Sequence, residues 1–400
     1  MSGKILSGTV IFILLLNTGC KVTQGKENKL KGDLIQLLDK HIEDAAIQYK
    51  YLARETPADR FPRSLNNNGR LVTSDSKWWC SGFYPGTLLY LYEATKDTVL
   101  LNEAGRKLKA LEKEQYNKST HDLGFMMFCS FGNANRLAPG TEYKNILVNS
   151  ARSLASRFDE KVGCIRSWNS KPSDFLVIID NMMNLELLFW ATRATGDSSF
   201  YKIAVTHANT TMKNHFRPDH SSYHQVNYNP QSGVPQKKRT VQGAADESSW
   251  ARGQGWGLYG YTVMYRETKD PKYLELANNI ADFILNHPNL PQDKVAYWDF
   301  NAPGIPGALR DASAASLMAA AFIELSGFNK GKIAKTYLVA AEEILRSLCS
   351  PVYTAAYKEK GGFLLKHSVG NLPGKSEVDV PLSYADYYFI EAMLRYKNLK

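Results

Sequence analysis

The sequence is poor in the residues that build disulfide frameworks and zinc sites. Only 5 of its 400 residues are Cys and only 8 are His. Apart from Cys20 near the N-terminus, the cysteines are scattered without short paired spacings: Cys80, Cys129, Cys164 and Cys349. Because both disulfide-rich domains and zinc sites need such spacings, we interpret these four as buried free thiols.

Several catalytic motifs are also absent where they could act. A nucleophile elbow of the form G-x-S-x-G, a P-loop, an H-E-x-x-H helix and a dinucleotide fingerprint are each missing from positions where they could act. His215, His220 and His224 lie close in sequence, but Pro218 breaks any helix between them and no carboxylate stands at a recognised ligand spacing. We therefore expect no metal site, and carboxylate chemistry remains.

A long basic run is missing as well, although the chain is basic overall. It has 49 Lys and Arg against 39 Asp and Glu, a net charge of +10. The densest basic cluster is Lys237-Lys238-Arg239, without interleaved aromatic residues, so nucleic-acid binding is not expected and other anionic partners are favoured. The 12% aromatic content suits a ligand with flat apolar faces, such as a sugar.

The N-terminus has the pattern of an export signal. Lys4 precedes an apolar stretch over residues 5–16, which is followed by Asn-Thr-Gly-Cys20. We predict a signal peptide over 1–19, lipidation at Cys20 and a flexible tether over 20–33, in a periplasmic or outer-membrane-anchored bacterial lipoprotein. The apolar stretch is short for a membrane span, so the lipid is the only expected membrane contact. Simple secretion is the alternative, since Asn17 is unusual at its position.

Strand-like alternation is scarce, and helical hairpins repeat along residues 34–400. Apolar-periodic helices end in short polar turns at Asp97, Asp197 and Asp270, and each turn leads into a second helix. About six such hairpins predict an all-α fold, either an open solenoid or a closed (α/α)6 barrel. Turns rich in aromatic residues and glycine favour the barrel, with one small β-hairpin inserted around residues 222–233.

Two aspartates are the candidate catalytic groups. Asp180 interrupts the apolar sequence Ile178-Ile179-Asp-Asn-Met-Met, where a lone charge is costly to bury. Its side chain is either a hydrogen-bonded structural group or a carboxyl whose raised pKa serves proton transfer. Asp122, in His121-Asp-Leu-Gly-Phe, has the alternative role of a helix N-cap.

Two aromatic and glycine-rich strings accompany the aspartates. Residues 250–257 read Trp-Ala-Arg-Gly-Gln-Gly-Trp-Gly, and residues 78–86 read Trp-Trp-Cys-Ser-Gly-Phe-Tyr-Pro-Gly. The indoles offer stacking faces, and Arg252 offers a planar fork that fits a carboxylate. Close helix packing is the alternative explanation of the glycines.

Taken together, these motifs resemble the unsaturated glucuronyl hydrolases of glycoside hydrolase family 88, over about residues 35–398. The resemblance implies an (α/α)6 barrel, no metal or organic cofactor, and a substrate with a 4,5-unsaturated uronic acid at the non-reducing end of an oligosaccharide. It places the proton donor on Asp180 and the second aspartate on Asp122. The implied substrate-binding positions are Trp79, His121, Trp168, His224, Gln242, Trp250, Arg252 and Trp256.

The resemblance also implies an unusual reaction, in which a carboxylic acid protonates C4 of the double bond and water attacks C5. Residues 366–380 lack the Ser-x-x-Ser-x-Lys pattern associated with sulfated substrates, and Val241 stands where many relatives have a histidine, so sulfate preference is not expected. An unsaturated rhamnogalacturonyl hydrolase acting on pectin fragments, a non-catalytic sugar-binding lipoprotein and a helical scaffold remain as alternatives. The sequence leaves the glycosidic linkage and the oligomeric state open.

Overall fold

The computed structural model describes residues 14–399, with side chains from residue 31 onward. Residues 1–13 of the predicted signal peptide, and the side chain of Cys20, lie outside this part. Helix α1 begins at Leu14, so the backbone of residues 20–33, the predicted tether, is helical. Within residues 14–399, no helix combines the length and the apolar character that crossing a bilayer requires.

The helices of the described chain form two concentric layers. The outer layer consists of α1 (Leu14–Glu55), α3 (Thr98–Leu111), α5 (Thr141–Ala155), α7 (Ser198–His215), α9 (Pro271–Asn286) and α11 (Gly331–Leu348). The inner layer consists of α2 (Phe83–Thr95), the π-helical segment Gly124–Gly132 continuing into α4 (Asn133–Leu137), α6 (Leu185–Thr195), α8 (Ala251–Thr268), α10 (Ala312–Phe328) and α12 (Ser383–Lys397). Inner and outer helices alternate along the chain, which confirms the predicted hairpins.

Burial explains which helices are inside. The inner helix α10 is apolar or small on nearly every side, and almost all of its residues are buried. The outer helices α9 and α11 bury only one stripe, including Ile280 and Ile344, and present polar residues to solvent. Each inner helix contacts the next, and α12 returns to α2. The ring is therefore closed, as the (α/α)6 prediction requires.

The repeated aspartates begin the outer helices. Asp97, Asp197 and Asp270 each accept a hydrogen bond from a backbone N–H in the first turn of α3, α7 and α9. A carboxylate at this position satisfies an otherwise unpaired donor and interacts favourably with the helix dipole. The repeat seen in the sequence is thus a capping signal for the inner-to-outer turn.

Short strands cover the ends of the helices. Residues 14–399 form four antiparallel sheets: β1 (Phe61–Leu65) with β2 (Leu71–Ser74), β3 (Phe158–Asp159) with β4 (Cys164–Ile165), β5 (Phe175–Ile178) with β6 (Gln225–Tyr228) and β7 (Pro235–Arg239), and β8 (Ser368–Asn371) with β9 (Ser376–Val380). The predicted hairpin is β6–β7, extended by β5. The other strands were not expected, because two to five residues are too few to show an alternating pattern.

The four cysteines outside the N-terminus are free, as expected. Cys80, Cys164 and Cys349 are buried, and Cys129 is partly exposed. Burial raises the pKa of the Cys80 thiol to about 12. These thiols therefore stay protonated and are poor nucleophiles.

Candidate active site

The N-terminal ends of the inner helices surround a cavity of about 290 Å³. Its walls come from segments distant in sequence and consist of Arg63, Trp78, Trp79, His121, Asp122, Trp168, Ile178, Asp180, Gln242, Arg252, Gly370, Asn371, Ser376, Glu377 and Tyr384. Both candidate aspartates thus lie in one cavity. Helix N-termini carry partial positive charge, so this end of the barrel favours anionic ligands.

Asp180 lies in a 3-10 turn, Ile179–Asn184, that connects β5 to α6. Its side chain is only 9% exposed. Burial raises the pKa of the carboxyl to about 7; the positive charge of Arg252 opposes this rise, and the Asp122 carboxylate adds to it. The carboxyl therefore keeps its proton up to near neutral pH, as a general acid requires.

One oxygen of Asp180 is buried without a hydrogen-bond partner in the described part of the chain. Its Oδ2 has no hydrogen-bond partner among the described residues, and the nearest ring nitrogen, Nε2 of His224, is 3.7 Å away. Burial and the positive charge of Arg252 together lower the pKa of His224 to about 3, so the imidazole is neutral. A proton on Oδ2 would therefore not be held by a hydrogen bond to any described residue.

Asp122 is held by its neighbours and does not cap a helix. Thr120 donates its hydroxyl to Oδ2, and Nε2 of His121 lies 3.2 Å from Oδ1. Burial lowers the pKa of His121, so its ring is neutral and Nε2 can donate to the carboxylate. The N-terminus of the following π-helical segment has no side-chain cap. The capping alternative for Asp122 is therefore excluded.

The segments that carry the two aspartates are joined directly. Asn184, at the end of the Asp180 turn, accepts a hydrogen bond of 3.0 Å from the backbone N–H of Phe125. The residue before Phe125 is Gly124, and a Cβ there would lie 2.5 Å from Cα of Asn184. Only glycine allows the two backbone segments to come this close. Their contact keeps Asp122 and Asp180 on one wall of the cavity.

Arg252, in the first turn of α8, is fixed in the cavity wall. Its Nη1 lies 3.1 Å from Oδ2 of Asp311, and its Nη1 and Nη2 donate to the carbonyl oxygens of Val369 and Gly370, each at 2.5 Å. The guanidinium carbon is 4.5 Å from the ring centroid of Trp250. Since Arg252 is ion-paired and held on several sides, it provides a fixed positive charge facing the cavity.

The eight predicted substrate-binding residues divide into two groups. Those that line the cavity are Trp79, His121, Trp168, Gln242 and Arg252. The other three, His224, Trp250 and Trp256, are buried behind the wall, with 2%, 1% and 0% exposure. The Trp250 ring contacts His224 and Arg252, and Trp256 lowers the pKa of Asp180. The two indoles thus support the charged groups and do not present a ring face to the cavity.

Sequence reasoning missed part of the cavity. Arg63 lies on β1, and Asn371, Ser376 and Glu377 lie on the β8–β9 hairpin. Tyr384 is in the first turn of α12, the sixth inner helix. The hairpin repeat could have indicated Tyr384, because every inner helix begins at this end. No local pattern marks the other four, whose contacts depend on distant segments.

A larger cavity, of about 860 Å³, lies at the opposite end of the barrel, near the C-termini of the inner helices. Its charged groups pair with one another: Arg266 and Arg395 both bind Glu324, at 2.9 and 2.7 Å. These two arginines lower the pKa of Glu324. Burial raises the pKa of Glu186 in this cavity, but its carboxylate is ion-paired with Arg266. Since Asp180 has an oxygen without a partner among the described residues, we assign the acid–base chemistry to the smaller cavity.

The chain is similar to known proteins over most of its length. The family model for Glycosyl Hydrolase Family 88 matches residues 55–397. An unsaturated glucuronyl hydrolase of Formosa agariphila is 43% identical over 395 residues, covering 98% of this chain and 97% of the relative. An unsaturated chondroitin disaccharide hydrolase of Streptococcus agalactiae is 32% identical over 373 residues, covering 92% of each chain.

A solved structure is also similar. The crystal structure of an unsaturated glucuronyl hydrolase specific for heparin superimposes with a TM-score of 0.88 at 47% identity, covering 90% of this chain and 97% of that one. Fold and family match together identify the class as a glycoside hydrolase with an (α/α)6 barrel. Within that class, the chain belongs to glycosyl hydrolase family 88.

Proposed function

We propose that this unsaturated glucuronyl hydrolase removes a 4,5-unsaturated uronic acid from the non-reducing end of an oligosaccharide, with Asp180 as the proton donor. The observation that carries this assignment is the buried Asp180 carboxyl, with its pKa raised to about 7 and its Oδ2 unpartnered among the described residues. Such a group holds a proton at neutral pH and can deliver it into the cavity.

The reaction begins at the double bond. Asp180 donates its proton to C4, and positive character develops at C5, next to the ring oxygen. Asp180, now a carboxylate, accepts a proton from the water that adds to C5. The resulting hemiketal opens and releases the remaining saccharide. One water is consumed, and the carboxyl returns to its protonated state.

The neighbouring groups support these steps. The Asp122 carboxylate helps to keep the pKa of Asp180 high, and it can accept hydrogen bonds from sugar hydroxyls. Arg252 supplies a fixed positive charge that attracts the uronate carboxylate. Trp79 and Trp168 line the cavity and offer ring faces to the sugar.

The source of the substrate is inferred from the relatives. Their names refer to heparin and to chondroitin disaccharides, both of which are glycosaminoglycans. We therefore propose a glycosaminoglycan fragment produced by a lyase, since lyases create the unsaturated uronate. A pectin fragment is the alternative, and a panel of unsaturated disaccharides from both polymers would separate the two.

The decisive experiment removes the proton of Asp180. In Asp180→Asn we expect kcat on an unsaturated disaccharide to fall at least about 10³-fold, while the disaccharide still binds, because an amide is nearly the same shape but is not an acid. Loss of the alkene's ultraviolet absorbance measures turnover. Asp174→Asn, at an ionisable residue outside the cavity lining, is the control. Near-normal turnover by Asp180→Asn would refute the assignment.

The cellular location is a separate proposal. The apolar stretch at residues 5–16 and Cys20 favour export and lipid anchoring to a bacterial membrane. A Cys20→Ala variant expressed in a bacterium should then move from the membrane fraction to the soluble periplasmic fraction. An unchanged distribution would contradict the anchor.

A further inference from the structure

A second groove adjoins the active-site cavity. It measures about 590 Å³, twice the cavity's volume of about 290 Å³, and lies between the β1–β2 and β8–β9 hairpins. The two spaces share three lining residues, Arg63, Ser376 and Glu377. Sites for drug-sized ligands measure roughly 300–1,000 Å³, so the cavity alone holds only the first units of an oligosaccharide.

The boundary between the two spaces is an ion pair. Nε of Arg63 binds Oε1 of Glu377, and the guanidinium carbon of Arg63 lies 4.2 Å from the ring centroid of Trp78. Both charged side chains are mostly buried, with 21% and 13% exposure. A sugar chain that leaves the cavity in this direction must pass over this pair and the exposed face of Trp78.

Two backbone irregularities place the pair there. Arg63 has no partner on β2, because Pro62 pairs with Thr73 while Ser64 already pairs with Val72. Such a bulge redirects a side chain, and bulges are frequent near active sites.

The irregularity on the other hairpin is at Glu377. Its φ is +55°, in the left-handed region that residues other than glycine rarely adopt. A Cβ on the facing Gly370 would lie 2.4 Å from Oε2 of Glu377. A glycine at position 370 is therefore required for this carboxylate to lie across the hairpin.

The groove has the chemistry of a sugar site. Three consecutive exposed amides, Asn66, Asn67 and Asn68, form one side of it, and Lys375 stands on the other. Amides both donate and accept hydrogen bonds, which matches hydroxyl groups. Apolar side chains complete the lining and can contact the C–H faces of a pyranose: Leu65, Val72, Leu372, Val378 and Val380.

We propose that this groove binds the saccharide units beyond the disaccharide at the cleaved bond, so that the enzyme acts on longer chains more efficiently than on disaccharides. Asn67 and Asn68 contact sugar hydroxyls, and the Arg63–Glu377 pair marks the entrance to the groove. This inference rests on the proposed function, since it assumes that the terminal unsaturated unit occupies the cavity.

The test compares an unsaturated disaccharide with an unsaturated tetrasaccharide from the same polymer. We expect the Asn67→Ala/Asn68→Ala variant to lose about three- to tenfold in kcat/KM on the tetrasaccharide, the equivalent of one or two hydrogen bonds. Its kcat/KM on the disaccharide should stay within about twofold. The turn itself should persist, because Asn66 Oδ1 accepts from the backbone N–H groups of Asn68 and Arg70.

The matched control is Gln231→Ala/Ser232→Ala in the β6–β7 turn. That turn is also held by an asparagine, Asn229, whose Oδ1 accepts from the N–H groups of both residues. Because these residues line neither space, the control should treat both substrates as the wild type does. Binding of the two oligosaccharides to Asp180→Asn, with and without the asparagine substitutions, gives a second measurement that does not depend on turnover.

The outcomes separate this inference from the proposed function. If the wild type hydrolyses neither oligosaccharide, the proposed function is wrong. If it hydrolyses them, but the tetrasaccharide is no better a substrate or the asparagine substitutions affect both substrates equally or neither, the groove is not a saccharide site. An unchanged ratio of tetrasaccharide to disaccharide affinity in the binding measurement would likewise overturn the inference.

Discussion

At the scale of single residues, the pKa of Asp180 sets the pH range of the enzyme. The carboxyl donates its proton only when protonated, and its pKa is raised to about 7. We therefore expect kcat to fall as pH rises through about 7, about three units above the point expected for an ordinary aspartate. A pH profile of kcat between pH 5 and 9 measures this limb.

Replacing Asp122 should change the pH at which kcat falls. Its negative charge raises the pKa of Asp180, so Asp122→Asn should shift the alkaline limb toward lower pH as well as reduce kcat. A shift toward higher pH, or a limb that stays fixed, would mean that the two carboxylates do not interact as described. The wild-type profile measured in the same buffers is the reference.

Asp180 should also make the folded protein less stable at high pH. A carboxyl with a raised native pKa favours folding while it is protonated, and that stability is lost as pH rises from about 4 to about 7. Asp180→Asn should thus be more stable than the wild type by about 1–3 kcal/mol at pH 8, with a much smaller gain at pH 4.5. Thermal unfolding at the two pH values measures the difference.

Asp386 provides a contrasting case. Burial also raises its pKa to about 7, but its carboxylate accepts hydrogen bonds from the backbone N–H groups of Leu364 and Leu365 and from the Tyr49 hydroxyl. Asp386→Asn would turn one acceptor into a donor, and should destabilise the protein at both pH values. If Asp180→Asn and Asp386→Asn both stabilised the protein at pH 8, hydrogen bonding to the Asp386 carboxylate would make no difference to stability.

At the scale of elements, one glycine sets the distance between α8 and the Asp180 turn. A Cβ on Gly260 would lie 2.5 Å from Cβ of Met182. Gly260→Ala should therefore destabilise the protein by about 1–3 kcal/mol and lower kcat, because the Asp180 turn must shift. Urea denaturation and disaccharide turnover measure the two effects.

Gly105, in the outer helix α3, is the matched control. A Cβ there would have nothing within 4 Å. Gly105→Ala should stabilise the protein by about 0.5–1 kcal/mol, the helix propensity of alanine over glycine, and leave activity unchanged. Equal effects at the two positions would contradict close packing at Gly260.

Elements whose signals are local could be predicted from the sequence. The apolar stripes give the helices, and Asp97, Asp197 and Asp270 mark the helix starts because a cap acts within one turn. Asp180 could be found because a carboxylate in an apolar run contradicts its neighbours. Arg63 and Glu377 could not, since neither a bulge nor a left-handed residue leaves a periodic pattern, and their ion pair joins residues 314 positions apart.

At the scale of the whole molecule, the two ends of the barrel have different electrostatic character. The active-site end has the helix N-termini, and Arg252 lies there with the Asp180 carboxyl, whose pKa is raised to about 7. The opposite end has helix C-termini and a network in which Arg266 and Arg395 pair with glutamates. The sequence predicted closure into a barrel, and in such a barrel the loops that join outer to inner helices gather at the end that holds the active-site cavity.

The alignment of the inner helices has a kinetic consequence. Their N-terminal dipoles converge on one mouth of a protein whose net charge is +10, so a polyanionic chain in solution experiences a field that draws it toward that mouth. Between about 20 and 200 mM NaCl we expect the bimolecular capture of substrate, measured as kcat/KM, to fall several-fold while kcat stays nearly constant. If capture were insensitive to salt, the barrel's polarity would have no part in guiding its substrate.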